Sequence, residues 1–112
     1  MSEEIICTAV ISPKVDKVDE VEKILTTFTA WVHAFEPDTL KYQLLKQITG
    51  ETPEFIMHER YKSQAAIEAH ESSETFQKAA GQLKDLLARP LSIYWSRPVA
   101  GFENRDRGTL HM

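Results

Sequence analysis

The chain has 112 residues, a net charge of −4 and 42% apolar residues, which fits one globular domain with a small core and is too apolar for a disordered chain. Seventeen Asp and Glu against 13 Lys and Arg argue against a protein that tracks nucleic-acid phosphates, and no apolar run is long enough to span a membrane. The single cysteine, Cys7, excludes an internal disulfide, and the Glu-containing start lacks the basic and apolar segments of a secretory signal, so a cytoplasmic location is expected.

In chain order, Ile5 to Ser12 is rich in β-branched residues and stops at Pro13, as a strand does. The segment that follows places Val18, Val21, Ile24/Leu25, Phe28, Trp31/Val32 and Phe35 at steps of three to four. This spacing predicts a long amphipathic helix with an acidic first turn, closed by Pro37. Thr39 to Ile48 alternates Leu40, Tyr42 and Leu44 with Lys41 and Gln43, and Glu54 to Tyr61 follows the Gly50 and Pro53 turn. The two read as a hairpin joined by the five residues Thr49–Pro53. Ser63 opens a short helix, and Ser72 or Ser73 caps a second one that runs to Arg89 and Pro90. Leu91 to Val99 is the last strand. Residues 1–101 form the domain, and 102–112 read as a polar tail that is mobile or lies on a partner.

Strand, helix, two strands, helix pair, strand is the order of an α+β, ferredoxin-like split βαβ fold with a four-stranded antiparallel sheet. Its helices cover one face only. The other face carries Ile56 and His58, or by the opposite parity Met57 and Tyr61. Dimerisation is the simplest cover for it.

Glu59 and Tyr61 end a strand as Glu-x-Tyr, Ala66 and His70 form Ala-x-x-x-His on the next helix, and Ser72 or Ser73 and Phe76 start the helix after it. In these residues the stretch Glu54–Gln82 resembles the antibiotic biosynthesis monooxygenase family, whose strand ends in Glu-x-Trp/Tyr and whose helices carry the Ala-x-x-x-His and the Ser and Phe at the same places. Tyr42-Gln43-Leu44 looks like its Tyr-x-Leu strand. The resemblance implies a dimeric α+β barrel in which each subunit keeps a pocket between helices and sheet. It also implies a reaction from a varied set, including oxygenation of polyketides and quinols, haem degradation and isomerisation. Haem-degrading members carry a ligating His where this chain has Ala80, so no cofactor is expected. Cofactor-free polyketide oxygenases carry Asn and Trp where this chain has Met57 and Tyr61.

Oxygenation without a cofactor needs a base, a donor for the enolate oxygen and a dry aromatic pocket. His70, His58 and Tyr61 are the candidate catalytic residues. His58 reads either as an interface histidine or as a base at a pocket edge. His70 reads either as a cap on the helix C-terminus or as a base. Phe28, Trp31, Tyr42, Met57 and Phe76 are the candidate substrate-binding walls. Glu59 and Arg60 face opposite sides of their strand, and Glu59 is expected to find its partner elsewhere rather than act as a base. No metal-ligating pattern is present, and Cys7 reads as a small buried hydrophobe. The expected activity is a cofactor-independent monooxygenase acting with molecular oxygen on a small hydrophobic, enolisable or phenolic metabolite. A non-enzymatic metabolite-binding or stress-response dimer and a small-metabolite isomerase are the alternatives.

Overall fold

The computed structural model describes residues 4–105. Its elements are β1 (Ile5–Ile11), α1 (Val18–Phe35), β2 (Thr39–Lys46), β3 (Phe55–Tyr61), α2 (Gln64–Ser72), α3 (Glu74–Leu83) and β4 (Ser92–Ser96). The sheet runs β2-β3-β1-β4, and every pairing is antiparallel. This is the expected split βαβ order. Both helix starts predicted from serine form as capped turns. Ser63 Oγ accepts from the Ala66 N–H, and Ser73 Oγ accepts from the Phe76 N–H at 3.1 Å.

Alternation decides which side of the sheet meets the helices. Ile5, Cys7, Ala9 and Ile11 on β1, and Phe55, Met57, Glu59 and Tyr61 on β3, are buried, while the residues between them are only half-buried. The register pairs these sets, Cys7 with Glu59 and Ala9 with Met57, so they form one inner face. Tyr42 and Leu44 of β2 and Ile93 and Trp95 of β4 continue it. Helix α1 presents Val21, Leu25, Phe28 and Val32 to that face. Val21 and Leu25 pack with Ala9, Ile11, Phe55, Met57, Leu83 and Leu86 into the main core. Ile6, Thr8, Val10, Ile56 and His58 lie on the opposite, helix-free face.

Three boundaries differ from the sequence expectation. Helix α3 stops at Leu83 instead of reaching Arg89. The chain leaves the helix to bond with the end of β1: Lys14 N–H donates to Leu86 O and Ala88 N–H to Ser12 O, which seats Leu86 in the core. The hairpin connection spans residues 47–54. Gln47 and Glu54 close it through Gln47 N–H to Glu54 O and Glu54 N–H to Gln47 Oε1, and Gly50 supplies the positive φ of 86°. β4 keeps only Ser92–Ser96 of the predicted Leu91–Val99, because its pairing with β1 ends there. Of the predicted tail, Glu103 pairs with Arg60 at 2.5 Å, and 106–112 lie outside the described residues. Among the described residues, no helix is long and apolar enough to cross a membrane.

Ser73 holds the α2–α3 corner, because its hydroxyl also donates to His70 O at 2.9 Å. Ser73→Ala is expected to lower the unfolding free energy by about 1 kcal/mol, measured as a shift of the denaturant midpoint at unchanged slope.

Candidate functional site

The inner face does not pack solidly against the helices. A cavity of about 100 Å³ remains between β1–β3 and α1–α3, walled by Phe28, Tyr42, Met57, Tyr61, His70 and Phe76. It opens toward β4, where Leu91, Ile93 and Trp95 line the mouth and remain exposed. The short β4 is an edge strand. Its inward residues Ile93 and Trp95 line the cavity yet stay exposed, which puts the entrance on that side.

Aromatic side chains build the wall around Phe28. Its ring centroid lies 5.9 Å from Trp31, 5.8 Å from Tyr42, 5.6 Å from His70 and 6.0 Å from Phe76. His70 also stands 5.3 Å from both Tyr42 and Tyr61 and 5.1 Å from Phe76. Offset and edge contacts of this kind suit the ring quadrupoles and hold each ring against its neighbours.

One carboxyl group enters this apolar space. Glu59 follows the inward parity of Met57 and Tyr61, lines the cavity and is only 8% exposed. The Tyr61 hydroxyl and the Cys7 thiol both donate to it. Burial, the largest influence, disfavours its charge, while those two donors favour it; the nearby carboxylates of Glu71 and Glu36 oppose it again. The balance raises its pKa from 4.5 to about 7. Such a group can take and return a proton near neutral pH. Burial and the Glu59 charge push the Tyr61 hydroxyl well up, and burial with Glu59 and Glu36 does the same to Tyr42. Both phenols therefore stay protonated and able to donate. Burial and Glu59 raise the Cys7 thiol to about 12, which removes it as a nucleophile.

His70 is 2% exposed and does not cap its own helix. Its ring turns inward, and Nδ1 meets Glu36 Oε1 at 2.7 Å. Glu36 is the residue at which α1 ends, and its Oε1 also accepts from Thr39 Oγ1 at 2.8 Å.

Of the candidates read from the sequence, His70, Tyr61, Phe28, Tyr42, Met57 and Phe76 surround one cavity. Trp31 is outside that wall: it stacks behind Phe28 and against Phe35, and lines an outer groove instead. His58 is on the other side of the sheet, paired with Thr8 and Gln43, so it does not share a pocket with His70. The sequence reading sets Glu59 aside as a base and so misses its place in the cavity. The signal was present, because an inward Met57 and Tyr61 force the residue between them inward. It also missed Glu36, which is 34 residues from His70 and which no local pattern links to it. Among the described residues, no group of three His, Cys, Asp or Glu side chains is placed to hold a metal ion.

Comparison with known proteins agrees with this architecture. The family model for the antibiotic biosynthesis monooxygenase domain matches residues 4–82. No curated protein shows significant similarity. A Caulobacter crescentus crystal structure that carries the family's name is 27% identical, with a TM-score of 0.82 over 88% of this chain and 92% of that one. The structure of PA3566 from Pseudomonas aeruginosa is 25% identical, with a TM-score of 0.80 over 89% and 98%. Rv0793 from Mycobacterium tuberculosis, at 23% identity, shares the fold with a TM-score of 0.80 over 89% and 99%. With the family model spanning β1 to α3 and the cavity formed by those same elements, the chain belongs to the antibiotic biosynthesis monooxygenase family.

Proposed function

We propose that the protein is a cofactor-independent monooxygenase for a small hydrophobic, enolisable or phenolic metabolite, with Glu59 as the base. The observation that carries this reading is a buried carboxyl group poised near pH 7 inside an aromatic cavity, with a phenol donating to it. In the proposed reaction Glu59 takes a proton from an activated CH₂ group, and the resulting carbanion passes electrons to molecular oxygen. A C–O bond forms to give a peroxide anion, which takes the proton back from Glu59 to become a hydroperoxide. Loss of one water then leaves a carbonyl, so that CH₂ and O₂ become C=O and H₂O. The ring cluster keeps water from the carbanion, and Tyr42, which also lines the cavity, is the group able to donate to the enolate oxygen, the Tyr61 proton being held by Glu59.

The test is oxygen uptake by the purified protein with one-ring enolisable ketones, hydroquinones and tricyclic anthrones. Uptake above buffer, with one-ring compounds preferred over tricyclic ones, supports the reading. No uptake across the panel contradicts it. Turnover of an enolisable substrate that persists without oxygen favours an isomerase on the same base.

The helix-free face, with Ile6, Val10, Leu45 and Ile56 half-buried and Tyr94 61% exposed, supports a second copy as its cover. This would be the dimeric barrel that the family resemblance implies. Sedimentation at micromolar concentration is expected to give a dimer; a monomer would contradict it.

A further inference from the structure

His70 has a second environment. Behind the aromatic cavity is an outer groove of about 290 Å³, lined by Trp31, Glu36, Thr39, Ala66 and Ala69. His70 is the residue that borders both spaces. Its Nδ1 is committed to Glu36, which borders only the groove. Glu36 Oε2 is buried with no partner, so the carboxylate is answered by the Thr39 hydroxyl and the His70 ring through Oε1. A carboxylate accepts and does not donate, so the His70 proton belongs on Nδ1. In the neutral ring Nε2 is then an acceptor without a proton, on a side chain that forms part of the cavity wall.

The other polar groups of the cavity bias it in the same direction. Glu59 accepts, and the Tyr61 and Cys7 protons are already given to it. The Tyr42 hydroxyl can serve in either sense. Glu71 adds a second carboxylate to the lining. A ligand that brings a neutral hydroxyl finds acceptors, whereas a carboxylate meets like charge. At about 100 Å³ the space is well below the ~300 Å³ at which pockets for drug-sized ligands begin. It is closer to the ~150 Å³ of an apolar cavity that accepts benzene.

We propose that Glu36 is a positioning residue which fixes His70 as a hydrogen-bond acceptor and so selects neutral one-ring hydroxy compounds, phenols or enols, over ligands that only accept. This rests on the cavity being the substrate site, as in the function proposed above. Its test needs no turnover. Met57 lines the cavity, and the other two methionines are Met1 and Met112. Its ¹³C-labelled methyl group therefore reports occupancy. Phenol, benzaldehyde and benzoate are titrated against the full chain at pH 8. In parallel, long-range ¹⁵N correlation reads the tautomer of His70, assigned by its loss in His70→Gln.

The expected result is a protonated Nδ1, a bare Nε2 and a preference for phenol over benzaldehyde and benzoate of about ten-fold or more. In Glu36→Gln that preference is expected to fall to about two-fold or less, because an amide can itself donate to Nδ1 and release the tautomer. A loss of affinity equal for all three ligands would reduce Glu36 to a structural role and overturn the proposal. Benzaldehyde binding as well as phenol in the wild type, an Nε2–H tautomer, or no binding of phenol would also overturn it. The wild-type measurements decide the matter if the variant does not fold. Selective phenol binding without oxygen uptake by any compound would sink the oxygenase reading and leave this one standing.

Discussion

Glu59→Gln is expected to lower oxygen-uptake turnover by about a hundred- to ten-thousand-fold, the range a positioned general base contributes. The amide keeps the shape of the side chain but cannot take a proton. In the wild type the rate should rise with pH and level off above about 7, where Glu59 is ionised. The residual activity of the variant should lack that limb. Stability moves the opposite way. Glu59 titrates at 4.5 when solvated and at about 7 in the fold, so the folded state holds the proton more tightly. Its burial carries no charge penalty below about 4.5, and the penalty grows as pH rises toward 7. The Gln variant escapes that penalty. Across this window the difference in unfolding free energy should move in its favour by up to about 3 kcal/mol, from a shift of about 2.5 units at 1.36 kcal/mol each. Denaturant unfolding at pH 4.5 and pH 8 checks both sign and size. Equal pH dependence in the two proteins would mean that Glu59 is not desolvated. Loss of activity with gain of stability in one variant is the expected mark of a site group held against its solvation preference.

Phe28→Ala is expected to have the largest structural effect, lowering the unfolding free energy by about 3–5 kcal/mol. The ring is 5% exposed and is the common neighbour of Trp31, Tyr42, His70 and Phe76. Its removal leaves four aromatic rings without their shared contact, and small-to-moderate backbone shifts cannot close the gap. The cavity should also enlarge, so the preference for one-ring ligands should relax toward fused rings in the fraction that remains folded. A loss below about 1 kcal/mol in equilibrium denaturation would show that the cluster collapses around the deletion and that Phe28 does not set the cavity wall.

The elements were legible because each buries one periodic face. Val21, Leu25, Phe28 and Val32 mark α1, and the alternation through Phe55, Met57, Glu59 and Tyr61 marks β3. The early end of α3 was not legible. Leu86 and Ala88 bond to Lys14 and Ser12, partners more than 70 residues away that no local pattern announces. The aromatic part of the site followed from the pattern and the family resemblance, because cavity walls and core use the same side chains. The polar part followed less well. Placing His58 among the candidates left the strand parity open, and that parity puts His58 and Glu59 on opposite faces. In sequence Glu59 reads as a carboxylate that finds its partner elsewhere, and only the inward parity of its strand places it in the cavity. Glu36 lies at a helix end, where a carboxylate is unremarkable in sequence, and only the packing of α2 against the end of α1 brings His70 to it.

The most direct test of a catalytic Glu59 is its own titration, read from the ¹³C shift of the side-chain carboxyl in the wild-type protein and assigned by its absence in Glu59→Gln. A midpoint of about 7 is the predicted result. A midpoint near 4.5, the ordinary value, would mean a solvated, permanently ionised carboxylate and would contradict a base poised in a dry aromatic cavity.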